Sequence, residues 1–151
     1  MDLKSMLLPE KVVSFDFPGC EGLVFDLAFL SKESNRALYK KCQTTTYDVK
    51  RNEIEKFNDD LFLELYVKSI IKGWKGFKYK YVTELVLADI GDDPEEELDF
   101  TDDNALELMK ASTIFDTWIS EVIGDLGNFM SKNSISKLDE LKATSANLGQ
   151  D

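Results

Sequence analysis

The sequence predicts an α+β fold with an N-terminal β-hairpin followed by a mainly helical domain. Three observations predict it: two apolar runs around a Pro-Gly turn, a stripe of apolar residues spaced by three and four, and capping residues that begin further helices. We expect residues 1–130 to form one α+β domain and residues 131–151 a polar, flexible C-terminal tail.

The hairpin prediction rests on residues 12–17 and 23–30, which are rich in Val, Phe and Leu. Between them lies the turn sequence Pro18-Gly19-Cys20-Glu21-Gly22. Because two strands alone are only marginally stable in water, this hairpin is expected to pack on the helices or pair with another segment.

A helix is expected within residues 31–42, with Ser34 and Asn35 as capping residues, and an extended stretch within residues 44–47. The strongest helical pattern runs from Asn52 to Trp74, where the apolar stripe includes Ile54, Phe57, Leu61, Leu65, Phe62, Tyr66 and Ile70. The glycines beside Trp74 are expected to end this helix.

Residues 77–88 are expected to be extended or hairpin-like, with a short helix over residues 82–90 as the alternative. The nine carboxylates between Asp89 and Asp103 predict a solvated loop. Short helices are then expected over residues 102–109 and 113–130. The side chains expected in the core are Phe62, Trp74, Phe115, Trp118, Ile119 and Val122.

Composition argues against catalysis and against nucleic-acid or membrane partners. A net charge of −11 should repel phosphate backbones and anionic lipid surfaces. The absence of histidine removes the commonest general base and metal ligand, so neither an enzyme nor a metal or cofactor site is expected.

Cys20 and Cys42 show no metal-binding spacing and are expected to be free and partly buried in a reducing cytoplasm. No signal peptide or membrane span is expected.

Charge is segregated along the chain. Ten Lys and Arg residues fall between Lys40 and Lys80, directly before the acidic loop. The two regions can pair within one molecule, or head to tail between copies, which would give rings or filaments. Sequence reasoning leaves both arrangements open.

Four short motifs occur in a fixed order. The first is the basic helical segment Asn35–Lys41, and the second is Gly73-Trp74-Lys75-Gly76. The third is Phe100–Leu108, which contains Thr101 and the pair Asn104-Ala105, and the fourth is the pair Asn128-Phe129.

In this order and spacing, the chain resembles the tail assembly chaperones of long-tailed, non-contractile phages (siphoviruses) over about residues 10–148. The stretch from Phe77 to Glu97 is longer than the family pattern. The resemblance implies a viral protein that binds and coats the tape measure protein and helps recruit tail tube subunits. It further implies a location in the host cytoplasm and absence from the mature virion.

The expected partners are therefore the tape measure protein, the tail tube protein and further copies of the chain. One physical route to such coating is an amphipathic helix of the partner bound in a groove. The helices at residues 52–74 and 113–129 are expected to frame this binding surface. The candidate partner-binding residues are Arg36, Lys40, Lys41, Trp74, Lys75, Glu95, Glu96, Glu97 and Phe129. The alternative function is an acidic phage inhibitor that mimics nucleic acid and binds a host DNA-binding protein.

Overall fold

A computed structural model describes residues 1–130. It confirms the α+β fold, with an N-terminal antiparallel sheet covered by helices. The sheet contains strands β1 (Glu10–Asp16), β2 (Val24–Leu30) and β5 (Ile71–Lys75), in the order β1-β2-β5. The predicted hairpin is confirmed as β1 and β2, and its third strand comes from the middle of the chain.

The hydrophobic face of this sheet is built from cross-strand neighbours. Phe15 of β1 pairs with Phe25 of β2, and Phe25 pairs in turn with Trp74 of β5. Phe25 is fully buried and its ring lies 5.8 Å from that of Trp74. Such rows of aromatic pairs stabilise a sheet by more than their buried area alone.

Between β2 and the middle of the chain lie a helix and a second hairpin. Helix α2 (Lys32–Lys41) is capped by Ser31, three residues before the predicted cap Ser34. Strands β3 (Gln43–Tyr47) and β4 (Glu53–Phe57) pair with each other in a separate two-stranded sheet. The predicted extended stretch at residues 44–47 is therefore confirmed. A single-turn helix, α1 (Leu3–Met6), precedes the first sheet.

The prediction of one helix from Asn52 to Trp74 is wrong at both ends. Helix α3 covers only Asp59–Ile70. It starts at Asn58, whose side chain accepts a hydrogen bond from the Leu61 N–H, and two aspartates follow in the first turn. The residues before it form β4, because alternating charged and apolar side chains also suit a strand. The residues after it form β5, because their backbone pairs with β2.

The segment after β5 is also helical rather than extended. Helix α4 covers Tyr79–Leu85, so the expectation of a hairpin-like segment over residues 77–88 is wrong. The alternative helix over residues 82–90 overlaps it only in part. In α4, the apolar residues Tyr81, Val82 and Leu85 are spaced so that they contact the core from one face of the helix.

Two further helices follow the acidic loop. Helix α5 (Asp102–Ala111) confirms the predicted helix there, and α6 (Thr113–Ile123) confirms the first part of the next one. The predicted continuation to Met130 is wrong, because α6 ends at Gly124 and a separate 3-10 turn covers Leu126–Phe129. Contacts of α3 and α6 with β2, and of α5 with both helices, place the helical layer against the sheet.

Three of the six residues predicted to be buried are confirmed as core residues, and the other three are half-buried. Trp74, Phe115 and Ile119 are buried, while Trp118 and Val122 are half-buried against the same cluster. Phe62 is half-buried in a separate group of rings.

Cys20 and Cys42 are both buried and free. Within residues 1–130, no helix combines the length and apolar character needed to cross a membrane. The predictions for residues 131–151 lie outside the described part of the chain.

Candidate partner-binding surface

The hairpin formed by β3 and β4 is sparsely covered by the rest of the described chain. Nine of its ten strand residues are exposed, and only Thr46 is half-buried. Its turn is closed by Asp48, which accepts hydrogen bonds from the backbone N–H groups of Lys50 and Asn52. Val49 at the tip is fully exposed. The hairpin therefore projects into solvent.

Where this hairpin meets α2 and α3, four aromatic rings form a continuous group, which we call the aromatic surface: Tyr39, Phe57, Phe62 and Tyr66. Tyr39 lies 5.6 Å from Phe57 and 4.7 Å from Phe62, measured between ring centroids. Phe62 stacks on Tyr66 at 5.5 Å. Tyr39 is 50 % exposed and Phe57 is 37 % exposed, so much of this ring area faces solvent.

The inner end of the aromatic surface is the more buried one. Burial raises the pKa of the Tyr66 hydroxyl, and the nearby Tyr39 and Asp116 raise it further. The outer end contains Tyr39 and Phe57, whose rings are partly exposed. Lys40 and Lys41 follow Tyr39 in the last turn of α2 and are exposed.

The predicted contact residues do not form one site. Arg36, Lys40 and Lys41 lie on α2, and Arg36 forms an ion pair of 3.4 Å with Glu33. Lys75 is exposed on β5. Trp74 and Phe129 are buried, the second against Phe15 at 5.2 Å between ring centroids and against Phe29 at 5.4 Å. A partner could reach the Trp74 ring only after the core around it had opened, whereas the Phe129 ring also forms part of the wall of an open groove.

The acidic loop is held against α4 within the same molecule. The Glu95 carboxylate forms ion pairs with Lys78 at 2.9 Å and Lys80 at 2.7 Å. Hydrogen bonds from Lys78 and then Lys80 lower the pKa of Glu95 to about 2. The backbone of Glu96 accepts from the Tyr79 N–H at 2.7 Å. Glu95 therefore pairs with basic residues of the same molecule, which is one of the two arrangements that the sequence left open. The Glu96 carboxylate forms no ion pair with any described residue.

Sequence reasoning missed a second apolar surface near the N-terminus. An open groove of about 320 Å³ is lined by Leu7, Leu8, Phe29, Leu126 and Phe129 among others. Leu7 and Leu8 are each more than 60 % exposed. The available signal was the run of three consecutive apolar residues Met6-Leu7-Leu8 directly before Pro9.

Four motif residues make hydrogen bonds that stabilise the fold. Thr101 caps α5 by accepting from the Asn104 N–H, and the Asn104 side chain donates to the Asp99 carbonyl. Asn35 donates to the Leu30 carbonyl and Asn128 to the Val122 carbonyl. Within residues 1–130, no three Cys, Asp or Glu side chains are grouped so as to hold a metal ion.

The family model of the YdaY prophage protein matches residues 30–137, more than half of the chain. The chain belongs to the YdaY prophage protein family. It is therefore a phage-derived protein, and the matched region begins at the end of β2 and includes the projecting hairpin and the aromatic surface. Neither a curated protein nor a solved structure matches the sequence.

Proposed function

We propose that this YdaY-family protein is a phage tail assembly chaperone. In this role it binds and coats the tape measure protein and helps recruit tail tube subunits during assembly of a non-contractile tail. Membership of a prophage family supports a viral role. The ordered motifs support the chaperone assignment, because they resemble those of the tail assembly chaperones.

The aromatic surface is the observation that carries the proposal. Large rings that remain partly exposed, such as Tyr39 and Phe57, are typical of binding surfaces because they give much contact area at little cost in side-chain entropy. A long helical protein presents apolar stripes at a spacing of three and four residues. Such a stripe suits a row of four rings on neighbouring elements.

The structural roles of the motif residues sharpen this proposal. Because Asn104 and Thr101 hold the start of α5, they contribute to the scaffold. The contacts with the tape measure protein then come mainly from Phe57 and Phe62, which lie outside the motifs, together with Tyr39 at the end of the first motif. The bases Lys40 and Lys41 beside them would favour acidic positions on the bound helix.

The proposed role is stoichiometric binding in the host cytoplasm, without catalysis and without a place in the mature virion. Binding in several copies along one long partner needs no cofactor or reaction chemistry. The complete lack of histidine agrees with this reading, since the commonest general base is missing. Mass spectrometry of purified virions that found this chain in tail-like copy number would overturn the assembly-factor assignment.

The experiment is co-expression with the tape measure protein of the same prophage, followed by affinity purification of the tape measure protein. The unmodified chain should be retained, and the double variant Tyr39→Ala/Phe57→Ala should lose at least about tenfold in binding, as expected when two central rings are removed. The matched control is Val49→Ala/Leu87→Ala, which trims two fully exposed apolar side chains outside the aromatic surface.

Two results would contradict the proposal. Loss of binding in the control to the same extent as in the double variant would show that the aromatic surface has no special role. If the tape measure protein retained none of this chain, and this chain, purified in turn, instead captured a basic DNA-binding protein tightly and in a salt-sensitive way, the nucleic-acid mimic would be favoured.

A further inference from the structure

The free edge of β3 has a defined backbone pattern. At the two ends of the hairpin, the Asp48 N–H donates to the Asn52 carbonyl and the Asn58 N–H donates to the Cys42 carbonyl. In an antiparallel pair, hydrogen-bonded and non-hydrogen-bonded residue pairs alternate along the strands. These two hydrogen bonds therefore show that the backbone groups of the even-numbered residues of β3 face β4. The N–H and C=O groups of Gln43, Thr45 and Tyr47 therefore point away from β4, and no described strand pairs with them.

This edge lacks the usual protection against pairing with another strand. Proteins commonly shield an exposed edge with charged side chains, proline or a bulge. The β3 sequence Gln-Thr-Thr-Thr-Tyr has no charge and no proline, and its pairing with β4 shows no irregularity. Thr and Tyr also favour the extended backbone. The edge is thus suited to accept a further strand.

We propose that β3 pairs antiparallel with β3 of a second copy of the chain, which joins two hairpins into a four-stranded sheet. The two-fold axis passes beside Thr45, so Thr45 of each copy faces the other and Gln43 faces Tyr47. This register uses all three outward-pointing residues, in three rungs of two backbone hydrogen bonds each. A two-fold, self-complementary contact of this kind closes a dimer.

The composition of the hairpin selects this edge over the opposite one. The same operation applied to β4 would place Glu55 directly opposite Glu55 of the second copy, and like charges in that position are destabilising. The β3 register brings no like charges together. It also places Tyr47 next to Gln43 of the second copy, which is itself paired with Phe57. Tyr47 and Phe57 of both copies, four aromatic side chains, would then share one face of the joined sheet.

The exposure of the hairpin supports pairing for a second reason. A two-stranded sheet is marginal in water unless it packs on other structure, and nine of the ten strand residues here are exposed. Pairing at the β3 edge doubles the number of strands and satisfies the outward backbone groups. The apolar tip is not required for this contact, because the pairing depends on backbone hydrogen bonds.

Proline substitution provides the first test. Thr45→Pro removes an outward N–H at the β3 edge, whereas Glu55→Pro removes one at the β4 edge of the same rung. Sedimentation over micromolar to millimolar protein concentrations should show a dimer for the unmodified chain and for Glu55→Pro, and a monomer for Thr45→Pro. Circular dichroism should show all three to be folded. A monomeric unmodified chain, or equal loss of the dimer in both variants, would overturn the proposal.

Cysteine cross-linking provides the second test and does not depend on proline. Facing residues in a hydrogen-bonded rung have Cα atoms about 5.5 Å apart, which is within the range for a disulfide. Thr45→Cys should form a covalent dimer on mild oxidation, and Glu55→Cys should not. The native Cys20 and Cys42 are buried and should contribute little background. Failure of Thr45→Cys to cross-link would overturn the proposal, while binding of the tape measure protein by a monomer would leave the proposed function standing.

Discussion

The indole Nε1 of Trp74 donates a hydrogen bond of 2.8 Å to the backbone carbonyl of Leu98, 24 residues further along the chain. The Trp74 ring also lies 5.0 Å from that of Phe100, at an angle of 89°. These contacts join the two most distinctive sequence motifs, and they fix the position at which the acidic loop returns to the core. Trp74 is therefore the residue that connects β5 with the start of α5.

Replacing Trp74 with Ala should lower the free energy of unfolding by about 3–5 kcal/mol, because the ring is largely buried among Phe25, Phe77 and Phe100. Trp74→Phe keeps an aromatic ring but leaves the Leu98 carbonyl without its partner, so its cost should be smaller. Urea denaturation measures both. An unchanged stability in Trp74→Ala would show that the ring is not part of the core.

Gly76 should tolerate no side chain. Its φ is +69°, and an added Cβ would overlap the backbone carbonyl oxygen of Gly22 in the turn between β1 and β2. Gly19 has a similar φ of +83° but nothing within 4 Å of an added Cβ. Gly76→Ala should therefore lower the free energy of unfolding by roughly 1–3 kcal/mol more than Gly19→Ala does. Because both glycines have a positive φ, this difference measures the steric overlap alone. Equal costs in urea denaturation would contradict the close packing of these two turns.

Local sequence signals predicted the elements whose stabilising contacts are local. The β1–β2 hairpin has a turn sequence between two apolar runs, and α5 and α6 start at capping residues. The helix prediction failed between Asn52 and Trp74 because the apolar stripe continued through residues that pair with other strands. β5 depends on β2, about 45 residues away, and no spacing pattern near Trp74 reveals that partner.

The candidate surface was predictable only in part. Lys40 and Lys41 could be placed on an exposed helix end from sequence, and they do lie there. The grouping of Tyr39 with Phe57 and Phe62 could not, because it requires the end of β4 and the start of α3 to bring Phe57 and Phe62 against the end of α2. A signal that could have found the boundary was Asn58 followed by Asp59 and Asp60, a typical helix start inside the supposed long helix.

Ser112 is a buried polar residue between α5 and α6, and its side chain accepts a hydrogen bond of 3.0 Å from the Phe115 N–H. Ser112→Ala should destabilise the protein by roughly 1–2 kcal/mol, because a buried N–H would lose its partner. Ser31→Ala serves as the control, since Ser31 caps α2 in a half-buried position that water can reach. Thermal unfolding should show the larger loss for Ser112→Ala, and the reverse order would contradict the assignment.

The ion pairs of Glu95 should give a pH-dependent contribution to stability. The pKa of this carboxyl falls from an ordinary 4.5 to about 2 in the folded protein. Because the folded pKa is depressed, the contribution is present in full above about pH 4.5 and is lost as the pH falls toward 2. Glu95→Gln should lower Tm at pH 7 by a small, salt-sensitive amount that shrinks below pH 4.5.

Glu96→Gln is the matched control for this experiment, because Glu96 lies in the same loop and its carboxylate forms no ion pair with a described residue. Its Tm should follow that of the unmodified protein between pH 7 and pH 3. If Glu95→Gln and Glu96→Gln behaved alike, the stabilisation would come from the overall charge of the loop and not from the contacts with Lys78 and Lys80.

The most direct test of the proposed function is the stoichiometry of the complex with the tape measure protein of the same prophage. Light scattering on the co-expressed, purified complex should give several copies of this chain for each tape measure chain, as coating requires. The ratio should fall sharply in Tyr39→Ala/Phe57→Ala. A tape measure protein that is soluble alone and elutes without this chain would contradict the chaperone assignment.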